Sequence, residues 1–185
     1  ATNSQTAIPP VALRSTDPIH RQIEMYFKAR GLYYDRRKNY YKNQGKTSDE
    51  IISIAFLGQC LMSLFLGKPN YARARPSTLL SNNEYYKTLY IENTDLELYF
   101  KTAVLGKKVE RFMKSSQEYV QAEKSDILFY VVYAVAGFRL GSSTIDFQKF
   151  KEMDMESISM DEISRAAQIV STLYRELGGN NKVAK

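Results

Sequence analysis

The sequence predicts an all-α fold of about six helices, and three observations carry that expectation. Two nearly uninterrupted apolar segments, 51–66 and 127–138, are long enough to be core helices. The first is sixteen residues broken by Ser53, Gly58, Gln59 and Ser63, whereas a membrane span needs about 18 or more apolar residues. Several other segments repeat apolar residues at spacings of three and four, between a capping residue and a glycine. Finally, 185 residues with 44% apolar and 25% charged side chains suffice for one core and exclude disorder for the bulk of the chain.

In chain order, residues 1–16 read as an irregular lead, because Pro9-Pro10 blocks a helix. Asp17-Pro18 starts the first helix as an N-cap followed by a first-turn proline. Ile19, Ile23, Tyr26 and Phe27 form its stripe and Gly31 closes it. Residues 32–42 lack a stripe and carry two Tyr pairs around a polar centre, which suits a short hairpin or an extended loop. Ser48, Asp49 and Glu50 are expected to start a core helix over 49–66, with acidic side chains at the positive end of its dipole. Gly67 and Pro69 end it. A short helix is expected around 84–90 and a long one over about 94–120. On the long one Leu105, Val109, Phe112 and Met113 share a side opposite Lys107, Lys108, Arg111 and Lys114. The segment 127–139 follows as the second core helix, stopped by Gly141. After a short piece at 147–151, Ser159 and Glu162 have capping-box spacing. Ile163, Ala167, Val170, Leu173, Tyr174 and Leu177 then stripe the last helix, and Gly178-Gly179 ends it. Residues 180–185 should fray. The expected organisation is therefore a lead, one helical domain over 17–179 and a short tail.

The charge is unevenly placed. Of 26 basic and 20 acidic residues, the segment 28–46 holds seven basic ones against Asp35. The remaining 19 and 19 cancel, so the whole excess of +6 lies in nineteen residues. One cysteine, Cys60, excludes a disulfide framework and a cysteine-based zinc site, and fits a reducing compartment. With one histidine, His20, any metal site would need carboxylates. No signal peptide is visible, and the missing Met suggests a piece of a longer protein.

Three motifs stand in order: Ala1-Thr2-Asn3-Ser4-Gln5-Thr6, then Leu13-Arg14-Ser15-Thr16-Asp17-Pro18-Ile19, then Gly31-Leu32-Tyr33-Tyr34-Asp35-Arg36-Arg37-Lys38. Together they resemble the abortive-infection phage-resistance (AIPR) family. The resemblance implies a bacterial, cytoplasmic protein acting in defence against phage. It also implies that this chain is a C-terminal, mostly helical portion of a protein several hundred residues long. It leads one to expect Gln at position 20, where this chain has His20.

The basic segment is the leading candidate site. Nucleic acid needs cations for its phosphates and aromatic faces on which unpaired bases stack, worth about 1–3 kcal/mol each. Arg36, Arg37, Lys38 and Lys42 interleaved with Tyr33, Tyr34, Tyr40 and Tyr41 supply both, and Lys107, Lys108, Arg111 and Lys114 would extend the surface if the fold brings them near. The plainer expectation is that the tyrosines pack on neighbouring helices while the cations form a solvated rim. Arg14 and His20 resemble the Arg-x5-His motif of a helical ribonuclease superfamily (HEPN), with His as general base; Asp17-Pro18 between them breaks the shared register, and His20 reads better as a surface residue of the first turn. The acidic residues Asp146, Glu152, Asp154, Glu156, Asp161 and Glu162 lack ligand spacing for a metal. Asn3 and Gln5 suit turn formation. Met153, Met155 and Met160 suit gap-filling, and Cys60 should be inert. No phosphate loop and no nucleophile elbow is present.

The sequence thus points to a nucleic-acid-contacting helical module with no catalytic residue, metal or cofactor of its own. The alternative is an interaction scaffold for a missing N-terminal region or for a second copy, away from any membrane.

Overall fold

The computed structural model describes residues 14–179. The lead before Arg14, with Asn3, Gln5 and Pro9-Pro10, and the tail 180–185 lie outside the described residues. The all-α expectation holds: among the described residues ten α-helices dominate, with one two-stranded exception.

Helix α1 (Pro18–Lys28) follows Asp17, which occupies the N-cap position without capping. Its carboxylate instead accepts a hydrogen bond from the Tyr86 hydroxyl at 2.6 Å. Leu32 N–H bonds the Phe27 carbonyl across Gly31, whose φ of +79° makes the turn that only glycine adopts without strain. Strand β1 (Tyr33–Asp35) follows, then the single turn α2 (Tyr40–Asn43), and β2 (Ile51–Ser53). β1 does not fold back as a hairpin. It pairs in parallel with β2, Tyr33 opposite Ile51, Tyr34 opposite Ile52 and Asp35 opposite Ser53. Parallel pairing needs a crossover of about a dozen residues or more, and residues 36–50 supply it.

That pairing also moves the start of the first core helix. Ile51 and Ile52 are in the ladder, so α3 (Ile54–Phe65) begins after Ser53, whose Oγ accepts from Phe56 N–H at 3.0 Å. Glu50, expected in that helix, accepts instead from the N–H and hydroxyl of Thr47. The short helices α4 (Pro69–Ala74), α5 (Thr78–Ser81) and α6 (Asn83–Leu89) carry the chain to α7 (Glu97–Ser115). Helix α8 (Gln121–Leu140) starts six residues before the apolar segment and ends at Gly141 in the left-handed region. Helix α9 (Phe147–Lys151), a 3-10 turn (Met155–Ser157) and α10 (Met160–Glu176) complete the fold. Ser159 caps α10 through Glu162 N–H at 3.2 Å. Glu162 does not close a capping box, because its carboxylate is paired with Arg139 at 2.8 Å.

The two apolar helices do meet. Phe56 lies 5.8 Å from Phe129, and Ser63 Oγ donates to the Phe129 carbonyl at 2.7 Å. Around them are two cores. One joins α1, the strands and α6 to α3 through Phe27, Tyr34, Leu57 and Leu89; the other joins α7, α8, α9 and α10 through Leu105, Val131, Phe150 and Ile163. Helix α7 sits between them and is covered on more than one side, which ends the expectation of a plain solvated face. Lys107 is buried, its ammonium bonded to the Ser48 carbonyl and Glu110, and Lys108 closes onto the Met155 and Ile158 carbonyls. Met153 and Met155 fill the second core, while Met160 is half exposed.

Close approach of α7 to α3 depends on Gly106. A Cβ there would meet Cys60 Sγ at 2.7 Å and the Phe56 ring at 3.1 Å. Gly106→Ala is therefore expected to cost about 1–3 kcal/mol in urea unfolding, in spite of its better helix propensity. Cys60→Ala in the same chain should recover part of the loss; an unchanged midpoint for Gly106→Ala would show that the helices are free to separate.

Candidate nucleic-acid interface

The chain leaves the ladder at Asp35 and turns sharply, with Asn39 at φ +62°, before α2. The turn divides its cations by how far each can reach. Arg36 points inward: its Nε lies 2.5 Å from Glu24 and its Nη1 donates to the Ser15 carbonyl at 2.8 Å. Tyr41 donates to the other Glu24 oxygen at 2.6 Å, and burial with that neighbouring carboxylate raises its hydroxyl pKa. Arg37 reaches Glu24 only at 3.8 Å, remains half exposed, and stacks over the Tyr40 ring at 3.7 Å. Lys38 and Lys42 are exposed, with no ion pair among the described residues.

These residues form one wall of a groove of about 1090 Å³. The floor is β2 and the start of α3, with Ile51, Ala55 and Phe56, and the far wall is the side of α7 bearing Lys107, Glu110 and Lys114. Seven cations line it (Arg36, Arg37, Lys38, Lys42, Lys46, Lys107, Lys114) against Asp35 and Glu110, a formal balance of +5. Arg36 and Lys107 are engaged internally; Lys114 lies 3.5 Å from Glu110 but is 63% exposed, Arg37 and Lys46 rest on the Tyr40 and Tyr33 rings, and Lys38 and Lys42 have no ion pair among the described residues. Asp35 is buried at 9% exposure, and its Oδ1 has no hydrogen-bond partner. Burial raises the Asp35 pKa, partly offset by the Arg37 and Tyr40 backbone N–H groups.

The structure brings Arg36, Arg37, Lys38, Lys42, Lys107 and Lys114 to one groove and leaves the other expected residues outside its lining. Tyr34 is a core residue at 0% exposure, and Tyr41 is buried at 4%. Neither ring is presented for stacking, which corrects the expectation for both. Tyr33 is half-buried against Tyr41, with the Lys46 ammonium 4.4 Å above it. Tyr40 is the exposed ring of the four. Arg111 is exposed on α7, off the groove. Sequence reasoning missed Lys46, Phe56 and the unpartnered oxygen of Asp35 as site features. Only the basic run around Lys46 offered a signal.

The Arg14–His20 idea fails on burial. His20 is not a surface residue but is fully buried, with Nδ1 2.9 Å from the Tyr34 hydroxyl and Nε2 2.9 Å from that of Tyr86. Arg14 stacks over the Tyr86 ring at 4.3 Å. Because Tyr86 gives its proton to Asp17, its oxygen must accept from His20 Nε2–H, and Nδ1 accepts from Tyr34. A base with both nitrogens so occupied reaches no substrate.

A second groove, of about 700 Å³, lies between α8 and α10. It is almost wholly apolar, and Phe138, Ile169, Leu173 and Leu177 remain roughly half exposed there. Bordering this groove, Glu123 accepts from Ser171 at 2.5 Å, and Asp126 accepts from Arg73 and from Tyr174, which lines the groove, at 2.6 Å. Both carboxylates are buried and act as clamps between helices. Burial also pushes the Cys60 thiol pKa up. No cluster of metal-ligating side chains occurs among the described residues, and no described helix is long and apolar enough to cross a membrane.

Fold and groove together define a helical domain with a cationic channel between a basic turn and its central helix. The chain matches the family model described as "AIPR protein" over residues 1–178, and it belongs to that family. Membership points to phage defence by abortive infection. The match reaches far past residues 1–46, where the three motifs lie. No curated protein and no solved structure matched.

Proposed function

We propose that this chain is a nucleic-acid-contacting module of a bacterial phage-defence protein, working in the cytoplasm, and that the groove between the 36–46 turn and α7 holds the nucleic-acid backbone. The observation that carries this reading is the +5 balance of the groove lining, in which Arg37, Lys38, Lys42 and Lys114 are exposed to a ligand even where a carboxylate is near. Arg37, Lys38, Lys42 and Lys114 would take phosphates. Tyr40, already stacked with Arg37, would offer the exposed ring.

Binding of fluorescent single-stranded oligonucleotides across a salt series tests this. Affinity should fall with a log–log slope of about −0.7 per phosphate neutralised. Replacing Arg37, Lys38 and Lys42 together with Ala should flatten the slope by about 2. Salt-independent binding, or none at low salt, overturns the reading. Arg36 is left out of the triple variant because its partners are structural.

The apolar groove between α8 and α10 favours a second reading, an interaction scaffold. The partner would be the upstream region of the same protein or a second copy of this chain. Leu173→Glu should then abolish association with that partner in sedimentation while leaving the melting temperature of this domain within about 2 °C. Association that survives the substitution counts against it.

A further inference from the structure

Two carboxylates stand in the groove wall: Glu110 is paired with Lys107 and Lys114, whereas Asp35 accepts from the Arg37 and Tyr40 backbone N–H groups and still keeps one oxygen unbonded. Asp35 stands beside the apolar surface of Ile51, Ala55 and Phe56. Carboxylate repels phosphate, and an aliphatic and aromatic floor offers phosphate nothing. The same two features suit a nucleobase, which has an apolar face and a polar edge. The groove is thus graded from cations at its rim to an acceptor and apolar atoms within. A single strand with its phosphates outward and a base turned inward matches that order. A duplex, whose bases are paired in its interior, does not.

We infer that the groove selects single strands carrying a base with an exocyclic amino group, and that Asp35 Oδ1 accepts a hydrogen bond from that amine. This rests on the nucleic-acid reading above and deepens it. Cytosine and uracil separate the cases cleanly, because they are the same size and differ at the 4-position. Cytosine presents an N–H donor to the carboxylate there; uracil presents a carbonyl oxygen that it repels. The Asp35 oxygen is covered in the free protein, so the contact forms only as the rim side chains rearrange around a strand. Leaving a buried acceptor unpaired is unfavourable, and a donor that reaches it relieves that state.

The test compares twelve-residue oligo(C) and oligo(U) as RNA, and oligo(dC) and oligo(dT) as DNA, by fluorescence anisotropy at low salt and neutral pH. The unmodified protein should bind the cytosine strand about tenfold more tightly in at least one of the two chemistries, as a hydrogen bond to a charged acceptor implies. The chemistry that shows the preference identifies whether the strand is RNA or DNA. Asp35→Asn keeps the shape and supplies an amide, so the preference should shrink to less than twofold with the salt slope unchanged. Should the variant fail to fold, the cytosine-to-uracil ratio of the unmodified protein still decides. Equal binding of all four strands with a normal salt slope overturns this inference and leaves the basic-groove reading standing. No binding of any strand overturns both.

Discussion

Lowering the pH from 7 to 5 is expected to cost this domain about 2 kcal/mol of stability, rising to roughly 3 kcal/mol near pH 4, through His20 alone. Burial holds the imidazole pKa at about 4, against 6.5 in an unfolded chain; Asp17 pulls it up, and Arg36 and Arg14 push it down. Between those two values the unfolded chain binds a proton that the folded one refuses, so stability rises with pH across the window. It is complete above about 6.5 and lost as pH falls toward 4. The cause is local. Nδ1 accepts from Tyr34, and a proton placed there would turn two donors toward each other inside a fully buried cluster of Tyr34, Tyr86 and Tyr90 rings. Asp35, with its raised pKa, has the opposite sign and adds slightly to stability as pH falls. Urea unfolding at pH 7 and pH 5 checks the value, with His20→Gln as reference. The variant should be less stable at pH 7 and nearly insensitive to the change. An equal loss in both proteins would place the acid sensitivity elsewhere.

His20 also marks where sequence reasoning stops. Its partners Tyr34 and Tyr86 lie 14 and 66 residues away in the chain, so nothing near Asp17-Pro18 distinguishes a buried imidazole from one in water. The apolar helices α3 and α8 were legible because their composition leaves no other place for them than the core, and the Ser159 cap because it depends on residues three apart. The start of α3 was not. Ile51, Ile52 and Ile54 suit a strand and a buried helix equally, and pairing with Tyr33–Asp35, made possible by the 36–50 crossover, decides between them. The site was half legible. Its charge could be counted, yet which cations remain for a ligand depends on Glu24, Ser48 and Glu110, none of which the counting connects to them. Lys107 shows this best, basic in sequence and internally bonded in the fold.

Glu24→Ala is expected to destabilise the domain by about 3–5 kcal/mol, a larger effect than removing any single groove cation. Glu24 and Arg36 are each only 14% exposed, and the carboxylate also accepts from Tyr41. Removing it leaves a guanidinium and a hydroxyl that water reaches poorly; the hydroxyl loses its acceptor and the guanidinium keeps only the Ser15 carbonyl. Arg36→Met together with Glu24→Leu should recover most of the loss, because replacing both partners of a buried pair removes the desolvation cost along with the attraction. Arg37→Ala should behave differently. Its link to Glu24 is 3.8 Å long and half exposed, so stability should change by less than about 0.5 kcal/mol, while the salt slope for oligonucleotide binding should fall by about 0.7. Adjacent arginines would then report separate things, one the attachment of the turn to α1 and the other the charge of the groove. If Glu24→Ala unfolds within 1 kcal/mol of the unmodified protein, Arg36 is not committed to Glu24, and it returns to the set of side chains that face a ligand.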